Sequence, residues 1–281
     1  MKKNNKKIKY SSNLIFKKGS KTYFYSSYFF PKKIRKDVTT LYAFVRTVDN
    51  LVDSVPQKKK EFFKFKKQFI NARKGKKIQN PIITNFLELE KRKNFEKKWA
   101  NSFMESMQKD LKQKKYKNLK EVEKYMHGSA EVIGLFMCKI LDINKSAYKS
   151  AKLLGKAMQY INFIRDIDED IALNRCYFPE NELKKHGFKC FDKESMKTNK
   201  EGFSKFIKEQ IKHYKKWQNT AEKDFSKIDK KYLPSIKTAS EMYKWTAKRI
   251  ENDPQIVFRE KVKPAKSRIF ITGIKNLVKK C

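Results

Sequence analysis

The sequence predicts an all-α fold, a single bundle of about eight to ten helices. Its 281 residues hold only 8 Gly and 7 Pro, and long stretches lack both. A β-sandwich or barrel needs many turn residues. Apolar residues recur at helical spacing, while strict alternation is too rare to support a sheet. No internal repeat or linker divides the chain, and its length suffices for one domain with a full core.

The elements follow in order. Residues 1–19 read as a flexible basic arm, and the domain proper as 20–281. A helix over 20–30 stops at Pro31, and a second over 34–54 stops before Pro56. Residues 57–75 and 82–115 are amphipathic and crowded with Lys. Residues 118–140 carry small and apolar residues on one side. A long helix over 145–173 ends before Pro179. Helices over 196–226 and 235–252 follow, the latter closed by Pro254. The tail 265–280 is a short basic amphipathic stretch.

The formal net charge is +39. Nucleic acid is the first partner this suggests, and a basic nucleic-acid binder stays as an alternative, but the distribution argues against it. Nine of the 69 basic residues are Arg, and the Lys are spread along the whole chain without a zinc finger, helix-turn-helix or RNA-binding signature. Most are a solvated surface, and a minority are left for diphosphates or acidic lipid headgroups. Cys138, Cys176, Cys190 and Cys281 form no CxxC and read as reduced structural thiols. Neither a signal peptide nor a membrane span is expected, so the chain reads as cytoplasmic, with peripheral membrane contact through its Lys-rich faces and the tail 265–280.

Two stripes carry chemistry. In Arg46-Thr-Val-Asp49-Asn-Leu-Val-Asp53 the two acids share one helix face with Tyr42 and Arg46. Their neighbours Phe44, Val45, Val48, Leu51 and Val52 are apolar, so burial would need a cation. Either the acids bind Mg²⁺ or they form an exposed stripe balanced by Arg46. The second stripe is Asn162, Asp166 and Asp170, at i, i+4 and i+8, extended backward by Gln159 and flanked by Arg165. Asp168 and Glu169 are expected to point away into solvent. Two such helices could hold two or three Mg²⁺ ions around a leaving diphosphate. No glycine loop of the nucleotide-binding type is present.

Ser20 and Lys21 begin the first helix, where Ser20 is an ordinary cap or part of an anion site. The small residues of Tyr125-Met-His-Gly128-Ser129-Ala130-Glu-Val-Ile133-Gly134 serve either helix packing or a groove for hydrocarbon tails. His127 reads as a structural histidine.

These residues resemble the squalene/phytoene synthases. SKTYFYSSYFFP, LYAFVRTVDNLVD, FMESMQKDL with YMHGSAEVIG, and LGKAMQYINFIRDIDEDIALNRCYFP are similar to that family's segments, in the same order, from Ser20 to Arg268. The resemblance implies the isoprenoid synthase bundle with a central cavity. It implies Asp49, Asp53, Asn162, Asp166 and Asp170 as Mg²⁺-diphosphate residues, and Ser20, Lys21, Arg46 and Arg165 on phosphate oxygens. It places Tyr42, Tyr125, Gln159 and Tyr177, with Arg46 and Arg165, at the reaction centre. Ala130, Ile133, Gly134 and Ala151 would border the tail tunnels. Asn50 departs from the family pattern, as do His127 and Glu131 near the tunnel wall, and Pro254 stands where some members carry a tyrosine. Lys261 is a weaker candidate for late positive charge.

The implied reaction is head-to-head joining of two prenyl diphosphates, first two geranylgeranyl diphosphates to phytoene by way of prephytoene diphosphate, without NADPH. The alternatives are a farnesyl-using dehydrosqualene or presqualene diphosphate synthase and a catalytically silent assembly factor. A silent relative tends to lose the aspartates that this chain keeps. A monomer is favoured.

Overall fold

The computed structural model of the chain describes residues 12–113 and 115–279. Helix α1 covers 12–19, α2 Lys21–Ser26, α3 Lys32–Asp53, α4 Lys59–Arg73, α5 Pro81–Arg92, α6 Lys97–Lys109, α7 Leu119–Met126 and α8 Val132–Ile140. Then come α9 Tyr148–Arg165, α10 Ile167–Ala172, α11 Glu180–Lys185, α12 Lys193–Thr198, α13 Lys200–Glu222, α14 Leu233–Asn252 and α15 Lys266–Val278. Among the described residues there is no strand, only an isolated bridge between Tyr116 and Pro179. None of their helices is long and apolar enough to cross a membrane.

The expected flexible arm is corrected for part of its length. Residues 1–11 lie outside the described residues, but 12–19 are helical. The cause is Phe16, which is buried and stacks on Tyr42 with ring centroids 4.3 Å apart.

Three long helices expected from periodicity are each broken once. The 82–115 segment divides at Asn94, whose φ of 50° takes the left-handed turn that ends α5. The 145–173 segment breaks at Asp166, where φ is −101° and ψ 18°. The Asp170 amide still donates to the Asp166 carbonyl at 2.9 Å, so one face continues across the break. The 196–226 segment divides at Asn199, whose side chain accepts from the Gly202 amide at 2.9 Å and caps α13. Helix α11 was not anticipated.

Two helices position the site. Helix α3 buries Phe44, Val48 and Val52. Phe44 lies face to face with Phe86 of α5 at 3.9 Å and close to Phe65, Phe69 and Phe103. Each buried ring contributes about 1.5–3 kcal/mol relative to exposure. Helix α9 is the central strut, packed against α8, α13 and α14. Its Ala157, Tyr160, Ile161 and Ile164 are fully buried. Glycine sets its distance from α8. A Cβ at Gly134 would collide with the Ala151 carbonyl, and one at Gly155 would lie 2.5 Å from that of Ala130. The small residues therefore do serve close helix packing.

Candidate active site

A cavity of about 690 Å³ runs between these helices. Its wall includes every residue that the resemblance assigned to metal, phosphate, reaction centre or tail tunnel. Asp49 and Asp53 reach it from α3, as do Tyr42 and Arg46. Gln159, Asn162 and Arg165 reach it from α9, Asp166 from the junction, and Asp170 from α10. Ser20, Lys21, Tyr125 and Tyr177 lie on the same wall. So do Ala130, Ile133, Gly134 and Ala151, in its apolar part.

On the α3 side, Arg46 Nη1 donates to Asp49 Oδ2 at 2.7 Å. Desolvation, and then Asp53, hold the Asp49 carboxyl above the usual carboxylate range despite Arg46. On the α9 side, Arg165 grips Asp166 with two donors at 2.8 and 2.5 Å, and burial is outweighed, so that carboxyl is held low. Asp170 is pushed well up, by burial first and Asp166 second.

Ser20 accepts from the Tyr23 amide at 3.2 Å and so caps α2, as the plainer reading expected. Glu169 does not point away from the site. It sits on the cavity rim and accepts from Lys261 Nζ. The same ammonium lies 3.6 Å from Asp166 Oδ1. Desolvation, Lys261 and Arg165 push the Lys263 ammonium down to about 8. That crowding of cations on one rim is the electrostatic mark of an anion site.

Sequence reasoning missed four residues on this wall. Arg175 is buried and donates to Asp53 Oδ1 at 2.8 Å and to the Tyr177 hydroxyl at 3.2 Å. Asp110 accepts from Tyr125 at 2.7 Å and from Tyr177 at 2.9 Å. Burial pushes its carboxyl up to about 6 against the pull of Arg175 and the two phenols. Tyr243 is buried on the same wall with its ring centroid 5.5 Å from that of Tyr23, and Lys263 is the fourth. The available signals were an Arg heading the apolar run Arg175-Cys-Tyr-Phe178 and an Asp next to last in FMESMQKDL. Burial raises the phenols of Tyr125 and Tyr177 well above their ordinary value, so both stay protonated and donate.

His127 and Glu131 are off the cavity wall. Glu131 accepts the His127 ring nitrogen at 2.9 Å and lies 3.1 Å from both Lys152 and Lys156. Cys138, Cys176 and Cys190 are free thiols, and Cys281 lies outside the described residues.

The donor set suits a hard cation. Among the described residues no three acidic, His or Cys side chains already close into a cage. Mg²⁺ takes one or two carboxylates and completes its shell with water and substrate phosphate, so a closed cage is not required. Asn162 Oδ1 is buried without a hydrogen-bond partner, and the Asp49 and Asp170 carboxyls sit where negative charge is undercompensated. These are oxygens that a divalent cation would satisfy.

The sequence pattern described as squalene/phytoene synthase matches residues 16–268. The chain belongs to the squalene/phytoene synthase family. It is 24% identical to the 15-cis-phytoene synthase of Pantoea ananas over 251 residues, 84% of this chain and 80% of that one. A chloroplastic phytoene synthase of an Oncidium hybrid cultivar is 30% identical over 133 residues, 45% of this chain and 32% of its own length. A dehydrosqualene synthase solved in complex with ligand superposes with a TM-score of 0.87 at 19% identity, covering 98% of this chain and 96% of that one. The squalene synthase HpnC from Alicyclobacillus acidocaldarius superposes with 0.75 at 17%, covering 87% and 93%. Membership makes this a prenyltransferase-type chain of the kind that condenses prenyl groups head to head, on the isoprenoid synthase helical fold.

Proposed function

We propose that the chain is a Mg²⁺-dependent synthase that joins two geranylgeranyl diphosphates into phytoene through prephytoene diphosphate. One observation carries the reading. Two acid stripes, flanked by Arg46, Arg165, Lys261 and Lys263, line the same cavity as an apolar wall. Charge for a diphosphate and room for hydrocarbon tails occur together.

Arg46, Arg165, Lys261 and Lys263 bind and orient diphosphate oxygens. Asp49, Asp53, Asn162, Asp166 and Asp170 would hold two or three Mg²⁺, which supply Lewis-acid withdrawal of charge from the leaving group. The faces of Tyr42, Tyr177 and Phe163 stand beside the allylic cation. Phe163 and Tyr177 are stacked 4.3 Å apart, a rigid wall that excludes water. The double bond of the second substrate closes on the first cation with loss of one proton, giving a cyclopropylcarbinyl diphosphate. Loss of its diphosphate, rearrangement and a second proton loss give the product. That sequence consumes no reductant, so NADPH is not required. Tyr125 and Tyr177 remain protonated donors, so released diphosphate is the better proton acceptor.

The C20 substrate rests on the phytoene synthases among the sequence relatives. The superposition on a dehydrosqualene synthase supports farnesyl diphosphate as the second reading. Incubation with Mg²⁺ and either diphosphate, followed by mass spectrometry of extracted lipid, separates them. A C40 hydrocarbon is expected. A C30 product from farnesyl diphosphate alone would replace the substrate assignment.

A further inference from the structure

Helix α15 carries two opposed faces. Ile269, Gly273 and Asn276 are buried. They seat it on α14 and α2, where Asn276 Nδ2 donates to Thr238 Oγ1 at 3.2 Å and a Cβ at Gly273 would collide with the Phe29 ring. On the other side, Phe270, Ile271, Ile274, Leu277 and Val278 are 37, 54, 55, 54 and 75% exposed. At helical spacing they occupy an arc of about 120°. Isolated apolar residues at a surface need no explanation, but a contiguous face does.

Charge frames that face. Arg268, Lys275 and Lys279 follow one edge of the arc and Lys266 the other, all exposed. Exposed Tyr28 extends it, with its ring centroid 6.4 Å from that of Phe270 and the Arg35 guanidinium 4.3 Å above it. We propose that this face of α15, together with Tyr28, docks on the surface of an anionic lipid bilayer. Aliphatic side chains would enter the headgroup boundary, and the basic side chains would reach the phosphates along their apolar stems. Net charge decides the occupant. A second copy would bring another +39 chain against this one, whereas an anionic bilayer offers the opposite sign.

The place in the fold fits. Ser26, Ser27 and Phe30 line the cavity, and Phe29 between them packs on Gly273 and Phe270. The docked face thus adjoins the cavity wall. The inference needs no particular substrate, so it stands or falls separately from the proposed reaction.

The test is sedimentation of the full chain with phosphatidylcholine vesicles, with and without phosphatidylglycerol. The wild type is expected to bind the anionic vesicles, less so as salt rises. The variant I271S/I274S/L277S should lose about tenfold or more in vesicle affinity while keeping its thermal midpoint, because those side chains make no core contact. Charge reversal in K275E/K279E should remove the preference for phosphatidylglycerol and leave the fold equally intact. Undiminished binding by the triple serine variant would overturn the proposal. So would a wild type that ignores anionic vesicles, or one that dimerises in solution through this face while failing to bind them.

Discussion

Arg175 donates from Nη1 to Asp53 Oδ1 at 2.8 Å, linking the end of α10 to the end of α3 across 122 residues of sequence. Its side chain is 2% exposed. It also donates to the Val52 carbonyl and faces Asp110, so one cation balances two carboxylates. Arg175→Ala should cost about 3 kcal/mol in chemical denaturation, the low end for a buried pair broken from one side, because Asp53 keeps contact with water. Arg175→Lys should recover part of that stability but not the two-point grip. An unchanged midpoint in the alanine variant would remove this residue from the account.

Asp110 touches neither diphosphate cations nor the acid stripes directly. It fixes two phenols, Tyr125 and Tyr177, with one carboxylate. Asp110→Asn should lower kcat more than it raises KM, since the phenols lose their common acceptor while the anion site is untouched. Steady-state kinetics check this, and a change confined to KM would contradict it.

Gly134 abuts the Ala151 carbonyl. Gly134→Ala should cost about 1–3 kcal/mol through overpacking, read as a lower thermal midpoint. The same methyl would push α8 from α9 at the apolar wall, so longer substrates should suffer more than shorter ones.

Glu131 supplies a pH test. His127, Lys156 and Lys152 together overcome its burial and lower its carboxyl. A lowered folded value means stability that is present above the unfolded carboxyl value, about 4.3, and lost as pH falls below it. Glu131→Gln should therefore be less stable at pH 7 and show a flatter loss of stability on acidification. A parallel acid limb in both proteins would contradict the assignment.

Much of the site was legible because helical spacing alone puts Asp49 with Asp53, and Asn162 with Asp166 and Asp170, on single faces. The breaks were less legible. Asn94, Asp166 and Asn199 interrupt segments whose apolar period runs on, and only the backbone turn at each reveals the boundary. Phe16 ends a short apolar triplet, Leu14-Ile15-Phe16, inside a basic arm, and its burial depends on Tyr42, 26 positions away in sequence. Arg175, Asp110, Tyr243 and Lys263 were missed for one reason. The groups that give them a role, Asp53 for Arg175, Tyr125 and Tyr177 for Asp110, Tyr23 for Tyr243 and Arg165 for Lys263, lie well apart from them in sequence, and the slight local signals do not name those partners.

The most direct test of the central claim, that two acid walls act together on a diphosphate, is diphosphate release measured alongside product. With geranylgeranyl diphosphate and Mg²⁺, the wild type should release two diphosphates for each C40 molecule formed. EDTA, Asp49→Asn or Asp166→Asn should each reduce release by about a thousandfold or more, equivalent to roughly 4 kcal/mol of lost transition-state stabilisation, with the fold retained. Undiminished release in EDTA, or from the Asp166→Asn protein, would contradict the account.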